Sequence, residues 1–147
     1  LLRKEQVPVI LGRTHSLPPR EDDDTDLPYK LPGLLRKAGV VFALSIDGSW
    51  QLRNLPYMAG TTAGYGLTKE EALAAITASP AAILGIADRT GKLETGKDAN
   101  RLIVSGDLLD MRSSTVEQAF INGRSISLDN VQKQLYQKYS DKYGLTK

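Results

Sequence analysis

No cysteine occurs in the 147 residues, and histidine occurs once, at position 15. The first absence excludes disulfides, thiolate zinc sites and cysteine nucleophiles. The second excludes a histidine-rich metal site, or a Ser-His-Asp triad with a spare base, built from this chain alone. Long apolar runs are missing too, since none approaches the roughly 20 residues needed to span a bilayer, so no membrane partner is expected. A marked excess of either charge is missing as well, with 19 Lys and Arg against 17 Asp and Glu. The net charge is +2, no Lys/Arg cluster lines one face, and the few aromatics are not interleaved with basic residues. Nothing therefore points to nucleic acid. The opening "LLRKEQVPVILG" has a short apolar stretch and no small-residue cleavage site, so it is not a secretory signal. It has no Met and enters a strand almost at once, which reads as residues lying upstream. The compartment stays open between cytoplasm and periplasm, because a chain without cysteine suits both.

What is present is a chain long enough for one domain or two small ones. "VPVILG" (7–12) is a short, β-branched run ended by glycine and reads as a strand buried on both faces. A long loop rich in proline and acid follows at 13–30, and loops of that length in compact domains are usually functional or disordered. "LPGLLRKAG" (31–39) reads as a short helix with Pro32 in its first turn and Gly39 as its stop. "VVFALSI" (40–46) is a second buried strand. Strand, helix, strand in this order implies a right-handed parallel crossover, and in parallel α/β sheets ligands sit at the carboxyl ends of the strands. Asp47 and the 13–30 loop both fall there.

Asn54 then precedes a helix with Pro56 just inside it, running toward Gly64 and Gly66. "LTKEEALAAITASP" (67–80) is the clearest helix, opened by a Thr68/Glu71 capping box and ended by Pro80. "SPAAILGI" restarts with Ser79 as cap and Gly85 as terminator. Beyond residue 86 the character changes to short strands and glycine turns, with an Asn122-Gly123 pair marking a hairpin. The tail 127–144 has Leu128, Val131, Leu135 and Tyr139 on one helical stripe.

The stretch "GYGLTKEEALAAITASPAAILGIADRTGKLETGKDANRLIV" (64–104) carries Ser79, Pro80, Ala81, Ile83, Leu84 and Gly85. It continues with Asp88, Arg89, Gly91, Leu93, Gly96, Lys97, Asp98, Ala99 and Asn100. In this it resembles the C-terminal region of the amidohydrolase superfamily, imidazolonepropionase-like members above all, and "VEQAFINGRSI" (116–126) is similar to their closing hairpin. The resemblance implies an α/β fold. It would be the C-terminal part of a metal-dependent (β/α)8 barrel, with its last two strands and helices, plus part of a small β-sandwich and a C-terminal helix. On that division, residues 1–86 are barrel, 87–127 sandwich portion and 128–147 the amphipathic helix.

"VPVILG" and "VVFALSI" then correspond to barrel strands seven and eight. Asp47 falls where the family keeps an aspartate that ligates the metal and takes the proton of the attacking water. The sequence departs from the family in two places. Ile46 stands where Thr or Ser is frequent, and Arg101 is inserted between Asn100 and "LIV". The family's His-x-His pair and its other metal ligands are absent from this chain.

Each candidate residue also has a plainer reading. Asp47 as an isolated strand-end acid would cap the next turn. His15 reads as a ligand or substrate contact from the loop after a strand, or as a loop histidine bonded to backbone or water. The planar fork of Arg53 suits a substrate carboxylate, but solvation or a structural ion pair explains it as well. Trp50 walls a pocket or packs in the core. The run "EDDDTD" (21–26) lacks the glycine and the distant glutamate of a calcium loop, and it reads as solvated. Gly91, Gly96, Lys97 and Asp98 shape turns.

Two functions are expected from this. In the first, the chain is the C-terminal portion of a metal-dependent amidohydrolase that cleaves a non-peptide C–N bond in a small-molecule amide, cyclic or dipeptide-like. A divalent cation, zinc by resemblance, would be held in the complete enzyme. The isolated chain, lacking the N-terminal part of the barrel, would be inactive and would hold no ion. In the second, it is a noncatalytic interaction module whose open strand edges favour self-association.

Overall fold

The computed structural model describes residues 1–12 and 14–145. The first residue of the acidic loop and the last two of the tail lie outside it. Five strands and five α-helices form in the order β1 (Val9–Gly12), α1 (Leu27–Lys37), β2 (Phe42–Ser45), α2 (Leu55–Gly64), α3 (Lys69–Ala74) and α4 (Ala78–Ile83), then β3 (Arg101–Ser105), β4 (Thr115–Ile121), β5 (Arg124–Ile126) and α5 (Val131–Lys142). One 3-10 turn, Leu52–Asn54, leads into α2. No described helix is long and apolar enough to cross a membrane.

β1 and β2 pair in parallel, Val9 opposite Phe42 through Gly12 opposite Ser45, as the strand-helix-strand order requires. Their side chains alternate between faces. On one face Phe42 and Leu44 join Ala59, Leu67, Ala72, Ala75 and Leu109 in the core, with Val9 and Leu11 packed against it. The other face is only half covered: Ala43 is buried, but Ile10 is 57% exposed. β1 is therefore not buried on both faces. The sheet has two strands. The far edge of β2 is partly used, because Leu44 N–H donates to the Ala75 carbonyl at 2.9 Å.

Helix boundaries follow local chemistry more closely than the proline positions alone indicate. α1 starts four residues before the expected Leu31, at Leu27, with Pro28 in its first turn. Proline suits that position because the first N–H groups of a helix have no intrahelical acceptor. Pro32 is then a buried interior residue. The Thr68/Glu71 capping box forms in both directions, Thr68 Oγ1 accepting from Glu71 N–H and Glu71 Oε2 from Thr68 N–H. The helix it opens ends at Ala74, however, and α4 starts at Ala78 with Thr77, not Ser79, as its N-cap. Asn54 precedes α2, but its side chain does not cap it.

A close approach fixes α2 against the β3–β4 connection. A Cβ on Gly60 would lie 2.1 Å from the Leu109 carbonyl oxygen, so only glycine lets Leu109 reach the core. β3, β4 and β5 form one antiparallel sheet in sequence order. The hairpin falls at Asn122-Gly123 as its sequence predicts, with φ of 49° and 77° at the two residues. A register shift between Ile103 and Val104 leaves Glu117 unpaired on β4. The irregularity thus falls beyond Arg101, which pairs with Phe120 and lies 4.9 Å from its ring centroid. Among the described residues, no further strand joins this sheet.

The 87–98 segment is held by turns and ion pairs: Arg89 bonds Asp98 at 3.1 Å, and Lys97 donates to the Ala87 carbonyl. α5 is capped by Asn130, which accepts from Lys133 N–H at 2.9 Å. Its expected apolar stripe is not covered, since Val131, Leu135 and Tyr139 are all exposed.

Candidate active site

The carboxyl ends of the two parallel strands bring together the loop after β1 and the segment after β2. Thr14 sits in the first of these, 3% exposed, and its Oγ1 has no hydrogen-bond partner among the described residues. His15 follows, its Nε2 2.6 Å from Thr61 Oγ1 on α2. The plainer expectation for His15, a bond to backbone or water, gives way to a side-chain partner 46 residues on. The Tyr29 ring meets the imidazole edge to face at 6.0 Å.

Asp47 lies two residues beyond β2, exposed, with no hydrogen bond or ion pair to a described residue. It caps no turn. A free carboxylate is a competent ligand or base, because its lone pairs are uncommitted. Among the described residues, though, no three of His, Cys, Asp or Glu come together to hold a metal ion. Asp47 can be one donor to a cation, and the described residues bring no group of three such ligands together around it.

A cavity of about 410 Å³ opens at this end, lined by His15, Ser16, Leu17, Ile46, Gln51, Asn54 and Met58. Ile46 contributes an apolar wall. Asn54 Nδ2 donates to Gln51 Oε1 at 2.8 Å. Trp50 and Arg53 lie outside the lining. Trp50 is 74% exposed and so is not a core residue, and the Arg53 guanidinium sits 5.6 Å from its ring centroid, a cation–π distance. Thr61, Gln51, Asn54 and Ser16 join the site without a sequence signal. Their roles depend on α2 and its leading turn folding back across the strand ends.

A second cavity, about 440 Å³, is lined by α2 residues, Lys69 and the 107–111 segment. Its charges satisfy one another. Lys69 Nζ is 2.6 Å from Asp107 Oδ2, which holds the Asp107 carboxyl below its ordinary range, with Leu109 N–H adding to the effect. Asp110 is likewise lowered, by Arg112 N–H and then by the Ser113 hydroxyl. These bonds stabilise a turn.

The sequence pattern of the amidohydrolase family matches residues 29–126. The chain belongs to the amidohydrolase family. Among solved structures, an amidohydrolase from Thermotoga maritima MSB8 is 34% identical, with a TM-score of 0.76 over 86% of this chain and 33% of that one. A further amidohydrolase structure, 20% identical, has a TM-score of 0.64 over 87% of this chain and 37% of its own. An uncharacterised protein, 18% identical, has a TM-score of 0.59 over 71% and 28%. These last two speak for the fold alone. No curated protein matches. This amidohydrolase chain thus spans about a third of the length of the solved structures it resembles. The match embraces β2, Asp47, α2 and the whole three-stranded sheet, while β1 and His15 lie before its first residue.

Proposed function

We propose that this chain supplies strands seven and eight of a metal-dependent amidohydrolase (β/α)8 barrel, and that Asp47 is its catalytic residue. Residues 1–86 would serve as barrel, 87–127 as part of a β-sandwich and 128–147 as a C-terminal helix. The observation that carries the proposal is the placement of Asp47. It is an exposed, uncommitted carboxylate just past the carboxyl end of the second of two parallel strands, in a chain of this family.

The proposed reaction is hydrolysis of a non-peptide C–N bond in a small amide, cyclic or dipeptide-like. A divalent cation, zinc by family resemblance, would lower the pKa of the attacking water. Asp47 would hold one side of that site, accept the water's proton and return it to the departing nitrogen. The remaining ligands come from outside this chain, so the chain alone is inactive.

The test compares metal content and amide hydrolysis for the isolated chain and for the chain joined to its complementing barrel strands. The assembled enzyme is expected to hydrolyse a cyclic amide. Asp47→Asn is expected to lower kcat by about 10²- to 10⁴-fold, the usual worth of a positioned acid–base group, with little change in folding. Stoichiometric, tight zinc in the isolated chain, or full activity in Asp47→Asn, would overturn the proposal.

A further inference from the structure

The hydroxyl of Thr61 has one proton, and the Tyr57 carbonyl, 3.1 Å away and one turn back along α2, is an acceptor for it. The same oxygen lies 2.6 Å from His15 Nε2. With the Thr61 proton on the Tyr57 carbonyl, the oxygen accepts from His15, which assigns the hydrogen to Nε2. In the neutral imidazole the other nitrogen, Nδ1, is then a bare acceptor. Among the described residues, His15 has only the edge-to-face contact with Tyr29 apart from the Thr61 bond, and it lines the strand-end cavity.

The neighbouring polar groups are oriented in the same way. Asn54 Nδ2 spends one of its two N–H groups on Gln51 Oε1, which leaves its second N–H and the Gln51 amide nitrogen as donors and the Asn54 carbonyl as an acceptor. Among the described residues, none of the lining side chains carries a formal charge apart from a protonated His15, and Ile46 and Met58 supply apolar wall.

We infer that His15 is a ligand-binding residue locked by Thr61 as the Nε2–H tautomer, its Nδ1 accepting from an N–H or O–H of an uncharged, amide-like group seated beside Gln51 and Asn54. Taking that group as part of the substrate rests on the hydrolase reading. The tautomer and the bare acceptor rest instead on the Thr61 proton going to the Tyr57 carbonyl, an assignment independent of the hydrolase reading.

His15 is the only histidine, so a long-range ¹H–¹⁵N spectrum of the labelled chain contains a single imidazole. With the ring neutral, Nε2 is expected to be the protonated nitrogen, and Thr61→Val is expected to release a mixture of tautomers. 2-Pyrrolidinone, a neutral lactam with an N–H, should then shift the Nδ1 resonance. N-methyl-2-pyrrolidinone, which lacks that donor, should bind about fivefold more weakly, the worth of one neutral hydrogen bond. A proton on Nδ1, no response to the lactam, or equal responses to both compounds would overturn the inference. An inactive assembled enzyme whose His15 still discriminates the two lactams would instead remove the hydrolase reading and leave this one standing.

Discussion

Arg36 Nε lies 2.6 Å from Glu71 Oε1, joining the last turn of α1 to the capping box of α3. Glu71 therefore carries two duties. Its other oxygen accepts from Thr68 N–H, and together these interactions hold the Glu71 carboxyl below its ordinary 4.5, the backbone bond first and Arg36 second. A carboxylate with a depressed folded pKa stabilises the fold above its unfolded value and loses that stabilisation as pH falls through the folded one. Asp24, held down by Lys30 and then by the Asp26 N–H, adds in the same direction. Thermal unfolding should thus show an acid limb that starts near pH 4.5 and steepens below it. Glu71→Gln should flatten that limb while leaving alkaline unfolding unchanged. An acid limb identical in the variant would contradict the assignment.

The cap itself is a separate matter from the charge. Thr68→Ala removes the acceptor for Glu71 N–H but keeps the Arg36 pair. It should cost about 1 kcal/mol in chemical denaturation, the usual worth of a side-chain N-cap.

Gly60 and Gly64 lie one turn apart on α2 and should respond oppositely to the same substitution. A methyl at Gly60 meets the Leu109 backbone, whereas one at Gly64 meets nothing within 4 Å. Gly60→Ala is expected to destabilise by at least the ~1–3 kcal/mol typical of overpacking, because a backbone carbonyl cannot rotate away as a side chain can. Gly64→Ala should be neutral or stabilise by up to about 1 kcal/mol through lost unfolded-state freedom. Urea midpoints for the pair decide this, and equal midpoints would show that Leu109 is free to move.

These examples mark how much of the fold was legible. Pairs close in sequence announced themselves: Thr68 with Glu71, Asn122 with Gly123, and the parallel β1–β2 crossover. Where an element begins was harder to read, because Pro28 and Pro32 are chemically alike and only packing decides which of them opens α1. The family could be read from the 79–100 stretch, whose turn residues form a dense local pattern, although Gly91 and Lys97 serve α4 and the Ala87 carbonyl more than any site. The cavity was illegible beyond His15 and the strand end. Thr61 reaches His15 across 46 residues, and no local pattern encodes such a contact. Burial was overestimated for β1 and α5, since periodicity reports which face is apolar and cannot report what covers it.

Asp47 offers a sharp contrast between stability and function. Exposed and without a described partner, it contributes little to folding, so Asp47→Asn should shift the unfolding midpoint by no more than the ~0.5 kcal/mol typical of surface changes. A buried structural acid would respond several times more strongly. A large destabilisation would mean that the carboxylate holds the 47–51 turn together, and it would remove the main reason for placing chemistry there.

The same reasoning, applied to Ile10, bears on association. β1 presents one unpaired edge and an apolar side chain 57% exposed on the face opposite the core. Unpaired backbone donors and acceptors beside exposed apolar surface favour pairing with another strand. The isolated chain is therefore expected to sediment as a concentration-dependent mixture, with a second copy lying along β1. Ile10→Lys should move it toward monomer by placing a charge that pairing would have to bury. Ile126→Lys, at an exposed position on the three-stranded sheet, should leave the distribution unchanged. If both variants dissociate the complex equally, association runs through general hydrophobicity, and if neither does, it runs through another surface such as the exposed stripe of α5. A wild-type chain that stays monomeric at the highest concentrations reached would end the case for the open edge, and with it the alternative of a noncatalytic pairing module.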